Sequence, residues 1–121
     1  MNTAKFFNLA PDGARRSGTV IFALLWATLV DLLGSSAAAA VLGRAARRAA
    51  RGVPGLTGFT IVRVDREYSY LLPSGFGRGG EQDPQLEALL LELRPLLQEL
   101  TGNVALRRLG AISELRLWAA V

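Results

Sequence analysis

Residues 18–34, GTVIFALLWATLVDLLG, are apolar almost all the way round a helix, and Asp31 is their only ionisable side chain. A surface helix keeps an apolar stripe and a polar back, whereas one that is hydrophobic on every side is enclosed by protein or lipid. Ser17 is a good N-cap residue and Gly34-Ser35-Ser36 makes a stop, so the run predicts a helix from Ser17 to Leu33. That is shorter than the roughly 20 apolar residues a bilayer span needs. Extending the run to Leu42 would supply the length. It would also place Asp31 near the middle, at about 2.5–3.5 kcal/mol, together with Gly34, Ser35 and Ser36. The expectation is therefore a core helix, with Ile21, Leu25 and Trp26 as core or interface side chains and Asp31 as a buried acid paired with an arginine or, alternatively, on a slightly exposed edge of the helix. The alternative is a single-span or peripheral membrane protein using residues 18–42. Arg15 and Arg16 on one side and Arg44, Arg47, Arg48 and Arg51 on the other would then put the C-terminal domain in the cytoplasm, beneath the inner membrane.

Downstream, SSAAAAVLGRAARRAARGVPG is a second helix by propensity, with Ser36 able to cap its start, Gly52 suited to its end and Pro54 blocking continuation. Arg44, Arg47, Arg48 and Arg51 fall at i, i+3, i+4 and i+7, hence on one face. Four guanidinium groups in a row suit an anionic partner: acidic protein, lipid headgroups or phosphates. A plain solvated face complementing the helix C-terminus is the structural alternative.

FTIVRVDREYSYLLP, residues 59–73, is strand material. If Asp65-Arg66 is a two-residue turn, Phe59 pairs with Leu72 and Ile61 with Tyr70 on one apolar face; the turn lacks the Asn-Gly or Asp-Gly signal, and a single bent strand is the alternative. The loop SGFGRGGEQD, residues 74–83, contains a formal G-x-G-x-x-G. Glu81 and Asp83 place negative charge where a pyrophosphate would sit and no βαβ unit follows, so no nucleotide is expected. Asp83-Pro84 then reads as an N-cap followed by proline at the first helical position. Leu86, Leu89, Leu90, Leu93, Leu96, Leu97 and Leu100 recur at helical spacing, and Pro95 predicts a kink or a split. Leu86, Leu89, Leu93 and Leu97 stand for the apolar interface or core of this segment. At the end, Leu115, Leu117, Ala119 and Val121 alternate with polar residues and Trp118, as a terminal strand would.

The expected fold is α+β: two N-terminal helices, a central antiparallel β-hairpin, a Leu-rich helical segment packed on the sheet, and a C-terminal segment, residues 112–121, that reads either as a third strand or as a helix. Residues 1–16 form an N-terminal arm and residues 17–121 a single domain.

Composition narrows the function. With no Cys and no His, the chain lacks disulfides, thiolate nucleophiles, the usual general base and the commonest metal ligands. No catalytic residue, cofactor or metal is expected, and nucleic acid is not an expected partner because no recognition module accompanies the basic residues. Fourteen bases against ten acids leave +4, but thirteen of the bases are Arg in an Ala-, Leu- and Gly-rich chain, the bias of GC-rich coding. Surplus apolar helix surface points instead to a small, non-enzymatic, cytoplasmic bacterial accessory protein, acting through a helical surface as an oligomer or on a larger protein partner. A small-ligand sensor with a pocket between the first helix and the hairpin is the other alternative.

Overall fold

The computed structural model describes residues 17–76 and 83–120; residues 1–16, expected as an N-terminal arm, residues 77–82 and residue 121 lie outside the described residues. Helix α1 (Gly18–Leu33) starts where Ser17 Oγ accepts from Val20 N–H and stops at Gly34, whose φ of 87° is easy only for glycine. Helix α2 (Ser35–Ala49) follows directly. Its N-cap is Gly34 and no side chain caps it, so the capping expected of Ser36 is not made. Gly34 closes one helix and opens the next, leaving no linker for a serine cap.

A 3₁₀ turn at Pro54–Gly58 leads into β1 (Thr60–Val64) and β2 (Glu67–Leu71). They pair antiparallel with Ile61 opposite Tyr70 and Val64 opposite Glu67, so Asp65-Arg66 is the two-residue turn. Asp65 has φ 59°, the left-handed value that such hairpin turns demand and that Asp tolerates better than most residues. Helix α3 (Pro84–Thr101) begins with Asp83 Oδ1 accepting from Leu86 N–H at 3.1 Å. It runs unbroken through Pro95, which lies on the exposed side, where the carbonyl freed by the missing N–H faces water.

The C-terminal segment, readable from sequence as strand or helix, is helical. Helix α4 (Val104–Leu109) is followed by a 3₁₀ turn at Ser113–Leu115 and further turns to Ala119, and among the described residues the sheet has two strands. Burial explains why: Ile112, Leu115, Trp118 and Ala119 are inside and Leu117 is out, a three-residue period that overrides the apparent alternation. Trp118 Nε1 donates to Leu90 O, while the Arg94 guanidinium donates to the carbonyls of Trp118 and Ala120, all at 2.8 Å. These bonds tie the C-terminal turns onto α3.

Helix α2 is the centre of the molecule. Its Ala38, Ala45, Ala46 and Ala49, with Leu42, let α1 and α3 approach closely on its flanks. The leucine face of α3, including Leu86, Leu89, Leu93 and Leu97, is buried chiefly against α2 and α4, and α2 stands between it and the hairpin. Only one side of α1 is enclosed, through Ile21, Phe22, Leu25 and Leu29, with Trp26 half-buried. The outward stripe of Thr19, Val20, Ala23, Ala27 and Asp31 is exposed. Apart from Val20 these side chains are small or polar, so an all-round apolar sequence can leave this side in water at little cost. Among the described residues no helix is long and apolar enough to cross a membrane.

Phe22 joins the layers. Its ring meets Phe59, Tyr70 and Phe76 edge to face, with centroids 5.6, 4.7 and 5.8 Å away, and Trp26 meets Tyr70 at 5.4 Å. A lone two-stranded hairpin is marginal in water. Here the aromatic cluster fastens it to α1.

Candidate interaction surface on helix α2

That cluster lies between α1 and the hairpin, where the small-ligand alternative would place its pocket. The open space lies one helix over. A cleft of about 830 Å³ separates α2 from the hairpin, with Ala39, Ala46 and Ala50 along one wall and Phe59, Ile61 and Tyr68 along the other. Small residues on α2 create the room, and at Gly43 the wall is bare backbone. A Cβ placed there would sit 3.5 Å from Arg47 Nη1, so the guanidinium folds back across Gly43 at the rim. Among the described residues Arg47 is the only formally charged side chain lining the cleft and no Asp or Glu lines it, while Thr57, Thr60 and the Tyr68 phenol add hydrogen-bonding groups. On the hairpin, Arg63 lies over the Tyr68 ring at 5.7 Å.

On its other flank α2 faces α3 across a second groove, of about 490 Å³, lined by Ala37, Ala40, Val41, Arg44, Leu96, Glu99 and Leu100. Arg44 and Glu99 stand on opposite banks. Among the described residues neither reaches an opposite charge within 4 Å. Leu100 continues the leucine phase of α3 but is 55% exposed, because α3 outlasts its cover at that end.

The arginine row expected from the sequence is present but divided. Arg44 and Arg47 are exposed on α2 and belong to the two different depressions; Arg48 is half-buried; Arg51 is exposed in the turn beyond the helix. Asp31 is not the buried acid the sequence suggested. It is 71% exposed and pairs with Arg108 of α4 at 2.7 Å, itself 51% exposed. The apolar context that suggested burial is a property of its sequence neighbours, which point elsewhere on the helix. An ion pair so wet contributes no more than about 1 kcal/mol. It serves to hold α4 beside α1, and no chemistry attaches to it.

Sequence reasoning missed Gly43, Glu99 and Leu100 as surface features. Gly43 alone carried a signal, a glycine in the middle of an alanine-rich helix where alanine would be more favourable by about 1 kcal/mol. Among the described residues no three His, Cys, Asp or Glu side chains gather as a metal site.

The fold and this surface together define a helical α+β scaffold with an α2 face that is basic, small-residue and indented on both sides. Compared with known family models, curated proteins and solved structures, the chain has no match in any of the three.

Proposed function

We propose that this is a small non-enzymatic interaction protein of the cytoplasm, whose working surface is the exposed side of α2 and whose partner is an acidic protein surface. The observation that carries the reading is the pair of depressions flanking α2, each holding an exposed arginine with no acid within ion-pairing distance among the described residues. All but Leu100 of the leucines that first suggested an interface are spent on the internal core. What remains for a partner is shallow, small-residue surface with positive charge on its rim, a setting in which charge complementarity governs which partner docks and how fast.

The cleft is the place to test it. Gly43→Leu would fill the α2 wall with a side chain and Arg47→Glu would reverse its charge, and both positions are outside the core. The expected result is that Arg47→Glu keeps the wild-type melting curve, Gly43→Leu melts no lower than wild type because leucine is the better helix former, and each loses the protein retained by the immobilised wild type from native extract, wild-type retention falling steeply as salt is raised. Retention by the double variant equal to wild type would refute the reading. A narrower version, in which the cleft takes a small anionic ligand, draws on its volume of about 830 Å³, inside the usual range for ligand sites. Thermal shift with short-chain fatty carboxylates against the matching alcohols tests that version, and equal shifts for both series would dismiss it.

A further inference from the structure

We propose that the α2–α3 groove seats a second copy of this chain, related by a two-fold axis running along the helices. The inference rests on the interaction reading above and names the partner for one of the two depressions.

The two helices run antiparallel. Leu96, Glu99 and Leu100, at the end of α3, line the groove with Ala37 and Ala40 from the start of α2, while Gln85 at the start of α3 lies against Gly55, just beyond the end of α2. A two-fold axis parallel to such a pair lays α2 of one copy over α3 of the other at the same height. Every feature of the groove then finds its complement. Leu100, exposed at 55%, is a knob on the α3 bank, and Ala37 and Ala40 form a shallow hole on the α2 bank at the same level. Arg44 on the α2 bank meets Glu99 of the second copy, and Glu99 meets the second copy's Arg44. An isologous interface requires this reciprocity, in which residue i contacts residue j and j contacts i. Arg44 and Glu99 are of opposite sign, yet they stand across the groove and do not bridge it. The docked arrangement is a four-helix layer, a standard solution for burying two apolar helix pairs.

Area sets the strength. Helices of 15 and 18 residues are about 22 and 27 Å long. Lying about 9 Å apart, they present a face that buries on the order of 1,000 Å² in total when stacked on its copy, the lower end of specific interfaces. The dimer is therefore concentration-dependent rather than permanent.

The experiment is sedimentation equilibrium and light scattering on the full chain across the micromolar to several-hundred-micromolar range. The expected result is a monomer–dimer equilibrium in the wild type. Arg44→Glu and Glu99→Arg each weaken it about tenfold or more, the double variant R44E/E99R recovers most of the loss, and Leu100→Glu leaves monomer throughout. Leu117→Glu, at an exposed position on the C-terminal turns, changes nothing. Circular dichroism melts confirm that each variant is folded. A wild type that stays monomeric overturns the proposal, as does a dimer indifferent to Arg44, Glu99 and Leu100. If the wild type is monomeric while Gly43→Leu and Arg47→Glu still abolish retention of a partner, the second-copy inference fails alone; if retention is also unaffected, the interaction reading fails with it.

Discussion

Replacing Phe22 with leucine tests whether the hairpin is held by ring contacts or merely by apolar bulk. The side chain is fully buried and meets three aromatic rings edge to face. A Phe-to-Leu exchange nearly conserves volume, and such swaps alone usually cost under about 1.5 kcal/mol. Each edge-to-face pair adds about 0.5–1.5 kcal/mol beyond area burial. Because the three pairs share one ring their values do not sum, and the expected total is about 2–3 kcal/mol, a fall in Tm of about 8–12 °C for a chain of this size. Guanidinium unfolding followed by far-UV circular dichroism gives the energy. Amide exchange gives the location: protection should drop first in β1 and β2, whose tie to α1 runs through Phe22 and Tyr70, and least in α3. A loss below about 1 kcal/mol, or loss spread evenly over α3 and the hairpin, would refute the anchoring argument.

Three further outcomes follow from single sites. Asp65→Gly should raise stability by about 0.5–1 kcal/mol, since a left-handed φ of 59° strains any residue with a Cβ; a lower Tm would show the aspartate side chain stabilising the turn. Arg94→Lys should free the C-terminal turns, because a lysine can replace one but not both of the bonds to Trp118 and Ala120 carbonyls. A loss of about 1–2 kcal/mol is expected, with faster proteolysis after residue 110, and unchanged cleavage would argue that Trp118 alone holds the segment. Burial raises the Tyr70 phenol above its ordinary 10.0. The folded state therefore keeps this proton longer than the unfolded chain does. Stability on this account is complete below pH 10 and falls as pH rises through the elevated value, a dependence that Tyr70→Phe should flatten when denaturation is followed across the alkaline range.

How far the fold was legible depends on whether local chemistry or distant packing decided each boundary. Both ends of α1 and the start of α3 are set by residues within one turn, the Ser17 cap, the Gly34 break and the Asp83-Pro84 pair, and all three are where the sequence puts them. The hairpin register was equally readable, because a one-residue slip would have turned Phe59, Ile61 and Tyr70 away from α1. The C-terminal segment was not. Its alternating pattern is a good strand on its own, but a strand there needs a sheet edge to join. Trp118 finds the Leu90 carbonyl on α3 instead, and that bond depends on a residue far back in the chain.

The surface was less legible than the core for the same reason. A helical wheel shows that Arg44 and Arg47 share a face of α2, yet it cannot show that the hairpin rises beside one and α3 beside the other, so a single basic stripe becomes the rims of two different depressions. The leucine phase of α3 predicts burial for Leu100 as firmly as for Leu97, and only the end of the cover over α3 separates them. Asp31 fails in the opposite direction: its neighbours in sequence are apolar, but its own direction from the helix is outward, toward Arg108. In each case the periodicity names the face correctly and says nothing of what lies opposite. In the proposed dimer the opposite element decides the role of the charge, because an arginine flanked by solvent is a solvated charge, whereas Arg44 across an apolar groove from Glu99 would be half of a symmetric contact.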